Sequence, residues 1–452
     1  MNKMLRFALL ILFLGSFHSS FGQYNKLRIY DTVLFYDGYA SLASIATKPA
    51  PPAGIVRLST SLYTRKLTSS QLAAIGDSLF LKVIVKASCD NYDRIAQVGL
   101  AFVPKGDTTY DKSKVKRIEL ARFITPFMNK NRKPDTVPYD FTIHNVASIL
   151  KEKHITDSFD IWFELGIFGV PYAAQTEVAG CAGRNDVFYG TVDLYTNSPI
   201  APQNDNYLIG LSNQFNVNNY QVGASDSIGV TAKTITFNLP YNTEEASLYL
   251  ITSNHGAGTG GEEYNRRKHF IFFDGDTVLT YTPGFTSCEP YRKYNTQGNG
   301  IYGPSVRTDA TWQSFSNWCP GAIIPIRTIF LGNLLKGSHT FKLSVPTAVF
   351  NLKDGYFPLS VYLQGKVTYP VNNAISLIEN SNKISLYPNP AKEIVSIQSP
   401  IKISSVEVYN MVGQQVLKSN TKSINVLELS QGMYYVKVGL ENGQTIIKTL
   451  IK

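Results

Sequence analysis

Three separated segments hold the side chains best suited to chemistry: Cys89-Asp-Asn-Tyr-Asp93-Arg94, Gly261-Glu262-Glu263-Tyr264 and Asn317-Trp318-Cys319-Pro320-Gly321. Together they supply carboxylates, aromatic surface and cysteines. Positioned carboxyl groups move protons, and aromatic side chains present broad, rigid apolar faces of the kind that hold a pyranose ring. No single segment supplies both in quantity, so it is the set that points to hydrolysis at a sugar.

Each acid has a competing reading. Asp93 precedes an alternating strand, so its carboxylate either projects from the strand start into a cleft or pairs with Arg94 in a turn. Glu164 interrupts the apolar run Trp162-Phe-Glu-Leu-Gly-Ile. Burying an unpaired carboxylate is costly, which makes Glu164 either half of a structural ion pair or a tuned acid. If the chain after Gly261 is extended, Glu263, Arg267 and His269 share one face. A carboxylate there stays ionised beside the arginine, as a site group or as a solvated pair. Gly256, Gly258 and Gly261 spell Gly-x-Gly-x-x-Gly, but a β-pattern follows instead of a helix, so no dinucleotide site is expected. Trp312 and Trp318, with Tyr302 and Phe315, are either core or sugar-facing. There is no Gly-x-Ser-x-Gly elbow, no His-x-His pair and no partner pattern around His144, His154, His255, His269 or His339. A serine triad and a copper or zinc centre are therefore not indicated.

Strands must position these groups. Aromatic residues reach 12% while charged residues are only 17%, a balance that favours β-structure. From about residue 26 to 199, runs such as Leu79–Val85, Val98–Val103 and Ile161–Ile167 alternate with turn-rich connections. One helix is expected over Asn145–Lys153, where Val146, Ile149 and Leu150 fall at helical spacing. Composition shifts to Asn, Ser, Gln and Pro near residue 205, and a second strand-rich block follows, with runs at Thr234–Leu239, Ser247–Thr252, His269–Phe273, Ile326–Leu331 and Thr340–Val345. Two antiparallel sandwiches in series explain both blocks. The cysteines at 89, 181, 288 and 319 allow three pairings. Cys288 and Cys319 share one aromatic, Gly-rich stretch, which favours their bond and leaves Cys89 with Cys181.

The chain opens with Lys3 and Arg6, then the apolar run Phe7–Gly15 and small residues to Gly22. This is the pattern of a secretory signal over residues 1–22, with a mature chain from Gln23. No later run approaches the roughly 20 apolar residues of a membrane helix. The formal charge of +10 is dispersed along the chain, so nucleic acid is not an expected partner. A linker, 371–382, precedes a last segment of short strands.

Two resemblances extend this reading. Residues 383–452 resemble the C-terminal sorting domain of substrates of the type IX secretion system of Bacteroidetes, through Tyr387-Pro-Asn-Pro390, Asn410-Met-Val-Gly413-Gln, Leu429-Ser-Gln-Gly432-Met-Tyr-Tyr-Val and the terminal Lys448-Thr-Leu-Ile-Lys. That resemblance implies export to the surface or beyond. The three opening segments, with Arg122-Phe-Ile-Thr-Pro126, Phe188-Tyr-Gly-Thr191, Pro325 and Arg327, resemble the peptide-N-glycosidase F family of amidases. This second resemblance implies two tandem eight-stranded antiparallel jelly rolls, 23–204 and 205–370, with the site at their interface. It implies Asp93, Glu263 and Glu164 as catalytic acids, and Arg94, Tyr92, Trp318, Tyr264, Arg267 and His255 as substrate-binding residues. It further implies an N-linked glycoprotein or glycopeptide as substrate, no cofactor, no metal, and a monomer. Tyr92, Gly166 and Phe315 stand where the family has tryptophan, tryptophan and arginine, and Gly261 and Asn265 where it has cysteines. A glycan-binding surface protein is the alternative on the same fold. A copper monooxygenase, whose fold is similar, lacks support in the ligand spacing.

Overall fold

The computed structural model describes residues 24–369, 384–411, 413–441 and 445–452. The segment 1–22 and the linker 371–382 lie outside them. The chain divides into two compact units, Met1–Thr368 and Tyr369–Lys452.

The first unit contains both sandwiches. Its strands are β1 (Asn25–Tyr36), β2 (Ile55–Ser59), β3 (Leu62–Lys66), β4 (Leu79–Ala87), β5 (Ile95–Pro104), β6 (Lys116–Ile124), β7 (Thr136–Thr142), β8 (Phe159–Ile167), β9 (Asp186–Thr196), β10 (Asn206–Val217), β11 (Ala232–Leu239), β12 (Thr243–Thr252), β13 (His269–Phe273), β14 (Asp276–Tyr281), β15 (Ile323–Ile324), β16 (Arg327–Leu334), β17 (Gly337–Ser344) and β18 (Phe357–Lys366). The first jelly roll packs the sheet β1-β9-β4-β7 on the sheet β15-β6-β5-β8-β3-β2, and the second packs β10-β18-β12-β16 on β11-β17-β13-β14. The architecture is all-β and antiparallel, as expected. β4 shows the rule that builds the core: Leu79, Leu81, Val83, Val85 and Ala87 are buried, while the residues between them are more exposed.

β6 and β18 break that alternation, because nearly every residue in them is buried. They lie where the two jelly rolls meet, so both of their faces are covered. Tyr362 of β18 joins the core cluster of the first jelly roll, and its hydroxyl accepts from Asn145 Nδ2 at 2.9 Å. Here the interface carries charge. Arg122 of β6 pairs with Glu119 through Nε at 2.8 Å and Nη2 at 2.6 Å, with both side chains 0% exposed. Arg122 also donates to Ser253 Oγ at 2.9 Å and to the Pro358 carbonyl at 2.7 Å. β15, in the second half of the chain, adds to the edge of the first jelly roll by pairing Ile323 with Phe123 and Ile324 with Arg122.

The predicted helix is present as His144–Lys151, with Val146, Ile149 and Leu150 buried. It stops short of Lys153 because Glu152 is extended and its side chain accepts from the His154 backbone N–H, starting a separate short turn of helix. Both disulfides form, Cys89–Cys181 and Cys288–Cys319.

The second unit is a small sandwich. Ser385–Tyr387, Ile394–Gln398 and Ser423–Asn425 form one sheet, and Ile403–Tyr409, Gln415–Ser419, Met433–Leu440 and Thr445–Ile451 form the other. Tyr434, Val436, Val438 and Leu440 alternate into its core.

Candidate active site

The loop that carries Asp93 is organised by its neighbour. Asp90 is fully buried and accepts from Tyr92 N at 2.9 Å, Val170 N at 2.6 Å and Arg94 Nε at 2.7 Å. The disulfide from Cys89 to Cys181 and the bond from Asn91 Nδ2 to Glu177 Oε2, 2.6 Å, fix the other side. Arg94 is thus committed to Asp90, and Asp93 forms no ion pair among the described residues. The turn reading, Asp93 with Arg94, gives way to a carboxylate released toward a cleft.

Glu263 arrives from the loop Gly256–Gly261, which is folded back on itself: a Cβ on Gly261 would lie 1.9 Å from the Gly256 carbonyl oxygen. The glycines serve this close packing. Of the twin glutamates, Glu262 is buried against Arg267, with Nη2 to Oε1 at 2.9 Å and Nε to Oε2 at 3.0 Å. Its partner Glu263 faces the cleft. The third segment holds this loop in place, since Asn317 donates to the Glu263 carbonyl from its backbone at 3.0 Å and from its side chain at 2.6 Å. Next to it, Trp318 Nε1 donates to the Asn254 carbonyl at 3.0 Å.

The result is a cleft of about 400 Å³ with Asp93 and Glu263 among its walls, joined by Tyr92, Arg94, His255, Tyr264 and Trp318. Desolvation, and then the charge of Glu263, push the Asp93 carboxyl up to about 8. Desolvation pushes Glu263 up to about 7, against the opposing pull of its hydrogen bonds to Tyr264 and the Gly256 backbone. Burial, with Arg122 nearby, lowers His255 to about 3, so its ring is neutral.

Residues 29–182 match the family model described as "Peptide-N-glycosidase F, N terminal" and residues 225–364 the one described as "Peptide-N-glycosidase F, C terminal". The chain belongs to the peptide-N-glycosidase F family. Residues 385–452 match "Secretion system C-terminal sorting domain". Two structures of PNGF-II share the fold. One, in space group P21, has a TM-score of 0.53 at 20% identity over 77% of this chain and 66% of that one. The other, in space group C2, has a TM-score of 0.54 at 18% identity over 78% and 66%. The chain thus spans just under two thirds of the length of PNGF-II. A recombinant peptide:N-glycanase F structure aligns with a TM-score of 0.49 at 16% identity over 77% of this chain and 97% of that one. No curated protein matches in sequence.

Of the residues that the peptide-N-glycosidase F resemblance marks, Asp93, Glu263, Tyr92, Arg94, Tyr264, Trp318 and His255 meet at the cleft. Glu164 and Arg267 do not. Glu164 lies in β8 opposite Gly99 of β5, and the chain from Asp93 to Gly99 extends up to roughly 20 Å at strand rise. Its carboxylate is taken by Arg117, Nε to Oε1 at 2.7 Å and Nη2 to Oε2 at 2.7 Å, and by the Tyr110 hydroxyl at 2.6 Å. This is the structural ion pair, and the tuned-acid reading is corrected. Arg267 is corrected for a different reason. The chain turns over Glu262–Asn265 instead of extending from Gly261, so Arg267 meets Glu262 and does not share a face with Glu263. Trp312 is fully buried and is core. Phe127 and Ile301 line the cleft without any sequence signal that marked them.

At the end of β8 and just past it, Gly166 and Phe168 line a second, polar chamber of about 280 Å³ with Gln97, Gln214 and Tyr356. Ile95 borders both spaces. Glu164→Ala is expected to destabilise the fold by about 1–3 kcal/mol, because it leaves the half-buried Arg117 guanidinium without its counter-charge. Urea unfolding at neutral pH checks this, and a loss well under 1 kcal/mol, the level of an exposed pair, contradicts it.

Proposed function

We propose that this member of the peptide-N-glycosidase F family is an exported amidase that hydrolyses the bond between asparagine and N-acetylglucosamine in N-linked glycoproteins. The supporting observation is the pair of carboxyl groups, Asp93 and Glu263, raised to about 8 and about 7 within one aromatic-edged cleft. Between those values the pair holds one proton. The carboxylate accepts a proton from water as it attacks the amide carbonyl carbon, and the carboxylic acid protonates the departing nitrogen. The C–N bond breaks, leaving aspartate in the peptide and a glycosylamine that loses ammonia in solution. Tyr264 and Tyr92, the exposed aromatics of the cleft, give the sugar apolar surface, while Trp318 backs the cleft from the core, and the polar chamber beyond Ile95 receives more of the glycan. The terminal domain directs export by the type IX system to the cell surface or medium.

The test is incubation of the full chain with denatured and native N-glycoproteins, followed by mass spectrometry for free glycan and for conversion of asparagine to aspartate. No release from high-mannose, complex or core-modified substrates, together with retained glycan binding, supports the binding-protein alternative instead.

The pH profile follows from the same pair. Below about 7 both acids are protonated and no base remains, and above about 8 both are ionised and no acid remains. The expected kcat/KM is a bell with limbs near those values, measured from pH 5 to 10 with a fluorescent glycopeptide. A single rise centred near 4, the ordinary carboxylate range, overturns the shared-proton mechanism.

A further inference from the structure

His255 is held on three sides. Its ring lies beside Tyr356 and Trp318, with centroids 5.7 and 6.1 Å away, and its backbone exchanges two hydrogen bonds of 3.0 Å with Tyr356. Nε2 lies 2.8 Å from Ser253 Oγ. Nδ1 meets no protein group among the described residues, on a ring that lines the acid cleft.

The proton's position follows from what Ser253 can do. Ser253 is 3% exposed, and its oxygen accepts from Arg122 Nη1 at 2.9 Å. A guanidinium only donates. Among the described residues, the hydroxyl hydrogen of Ser253 then has one acceptor in reach, the bare Nε2 of His255. Were Nε2 protonated, that hydroxyl hydrogen would be buried with no acceptor, a costly arrangement.

We infer that Arg122 and Ser253 are positioning residues that lock His255 in the tautomer carrying its proton on Nδ1, so that a neutral ring offers a fixed N–H to a carbonyl oxygen of the bound substrate. The choice of substrate rests on the amidase reading, whereas the tautomer does not. The arrangement reaches across the jelly-roll interface, since Arg122 is on β6 and Ser253 follows β12. Among the described residues, the charged and titratable groups around the ring are Arg122 behind Ser253, the Tyr356 phenol on its flank, and Asp93, Glu263, Arg94, Tyr92 and Tyr264 in the cleft. Burial and the Arg122 charge lower the ring to about 3, so the donor persists over the range in which the acid pair works and does not compete for its proton.

The test is a long-range proton–nitrogen spectrum of the full chain labelled with 15N-histidine, the His255 signals being assigned from their loss in His255→Gln. Expected are a protonated Nδ1 and an unprotonated Nε2, unchanged from pH 5 to 9. Ser253→Ala should give a mixture of tautomers, and Ser253→Thr, which keeps the hydroxyl, should restore the single form. A protonated Nε2 in the wild type, or a Ser253→Ala spectrum like the wild type, overturns the inference whether or not the chain releases glycans. Where it does, Ser253→Ala should lower kcat/KM by about tenfold, the scale of one hydrogen bond, without moving the limbs of the pH profile, and Ser253→Thr should recover it.

Discussion

Asp93→Asn is expected to lower glycan release by roughly a hundredfold to ten-thousandfold, the range that one positioned acid or base contributes. The substitution keeps the size of the side chain and the hydrogen bonds of Asp90, which organise the loop, so the cleft should keep its shape. What disappears is a group that exchanges a proton near neutral pH. The same variant carries a stability signature with a defined sign. The Asp93 carboxyl is raised from 3.8 to about 8, so the folded state favours its protonated form. Its contribution to stability is fully present below about pH 4 and is lost as pH rises through 8. Asparagine never ionises, so Asp93→Asn should be more stable than the wild type at pH 9, and that gain should be absent at pH 4. Thermal unfolding at the two pH values, beside a glycan-release assay, checks both expectations. A variant that retains release within a factor of a few removes Asp93 from the reaction.

Arg122→Met is expected to cost about 3–5 kcal/mol in unfolding free energy, because the buried Glu119 loses its counter-charge. The figure applies because both side chains are fully buried and because the pair lies in the seam between the jelly rolls. Replacing both partners, Glu119→Leu with Arg122→Met, should restore most of the loss, since an apolar pair of similar volume needs no counter-charge. Urea unfolding of the three proteins measures it. A double variant as unstable as the single one would show that the seam depends on the bonds from Arg122 to Ser253 and Pro358 more than on charge balance.

How much of this was legible in the sequence depended on whether neighbouring strands or loop packing decided the outcome. Alternation in β4 and the apolar spacing of the helix are local patterns and were readable. The three chemical segments were readable as a set because residue type marks them. Glu164 was not, because a residue's distance from a site along a strand depends on register, and register is set by the partner strand. The sequence could say that Glu164 needs a partner, but Arg117 and Tyr110 come from elsewhere in the chain. Arg267 failed for want of a turn signal: nothing in Glu262-Glu-Tyr-Asn265 announces the turn that those residues make. Asp90 was overlooked as the hub of its loop because its three donors, Tyr92, Val170 and Arg94, include one far away in sequence. In β6 and β18, nothing local shows that both of their faces are covered.

The strand β15 has a consequence for biosynthesis. Until Ile323 and Ile324 have left the ribosome, the edge of β6 at Arg122 and Phe123 has no partner there, and an open edge recruits other chains. An N-terminal fragment ending before residue 323 is therefore an aggregation hazard, and the two halves are not modules that evolution or an engineer can exchange separately. The first jelly roll is finished by a strand that belongs to the second half of the chain.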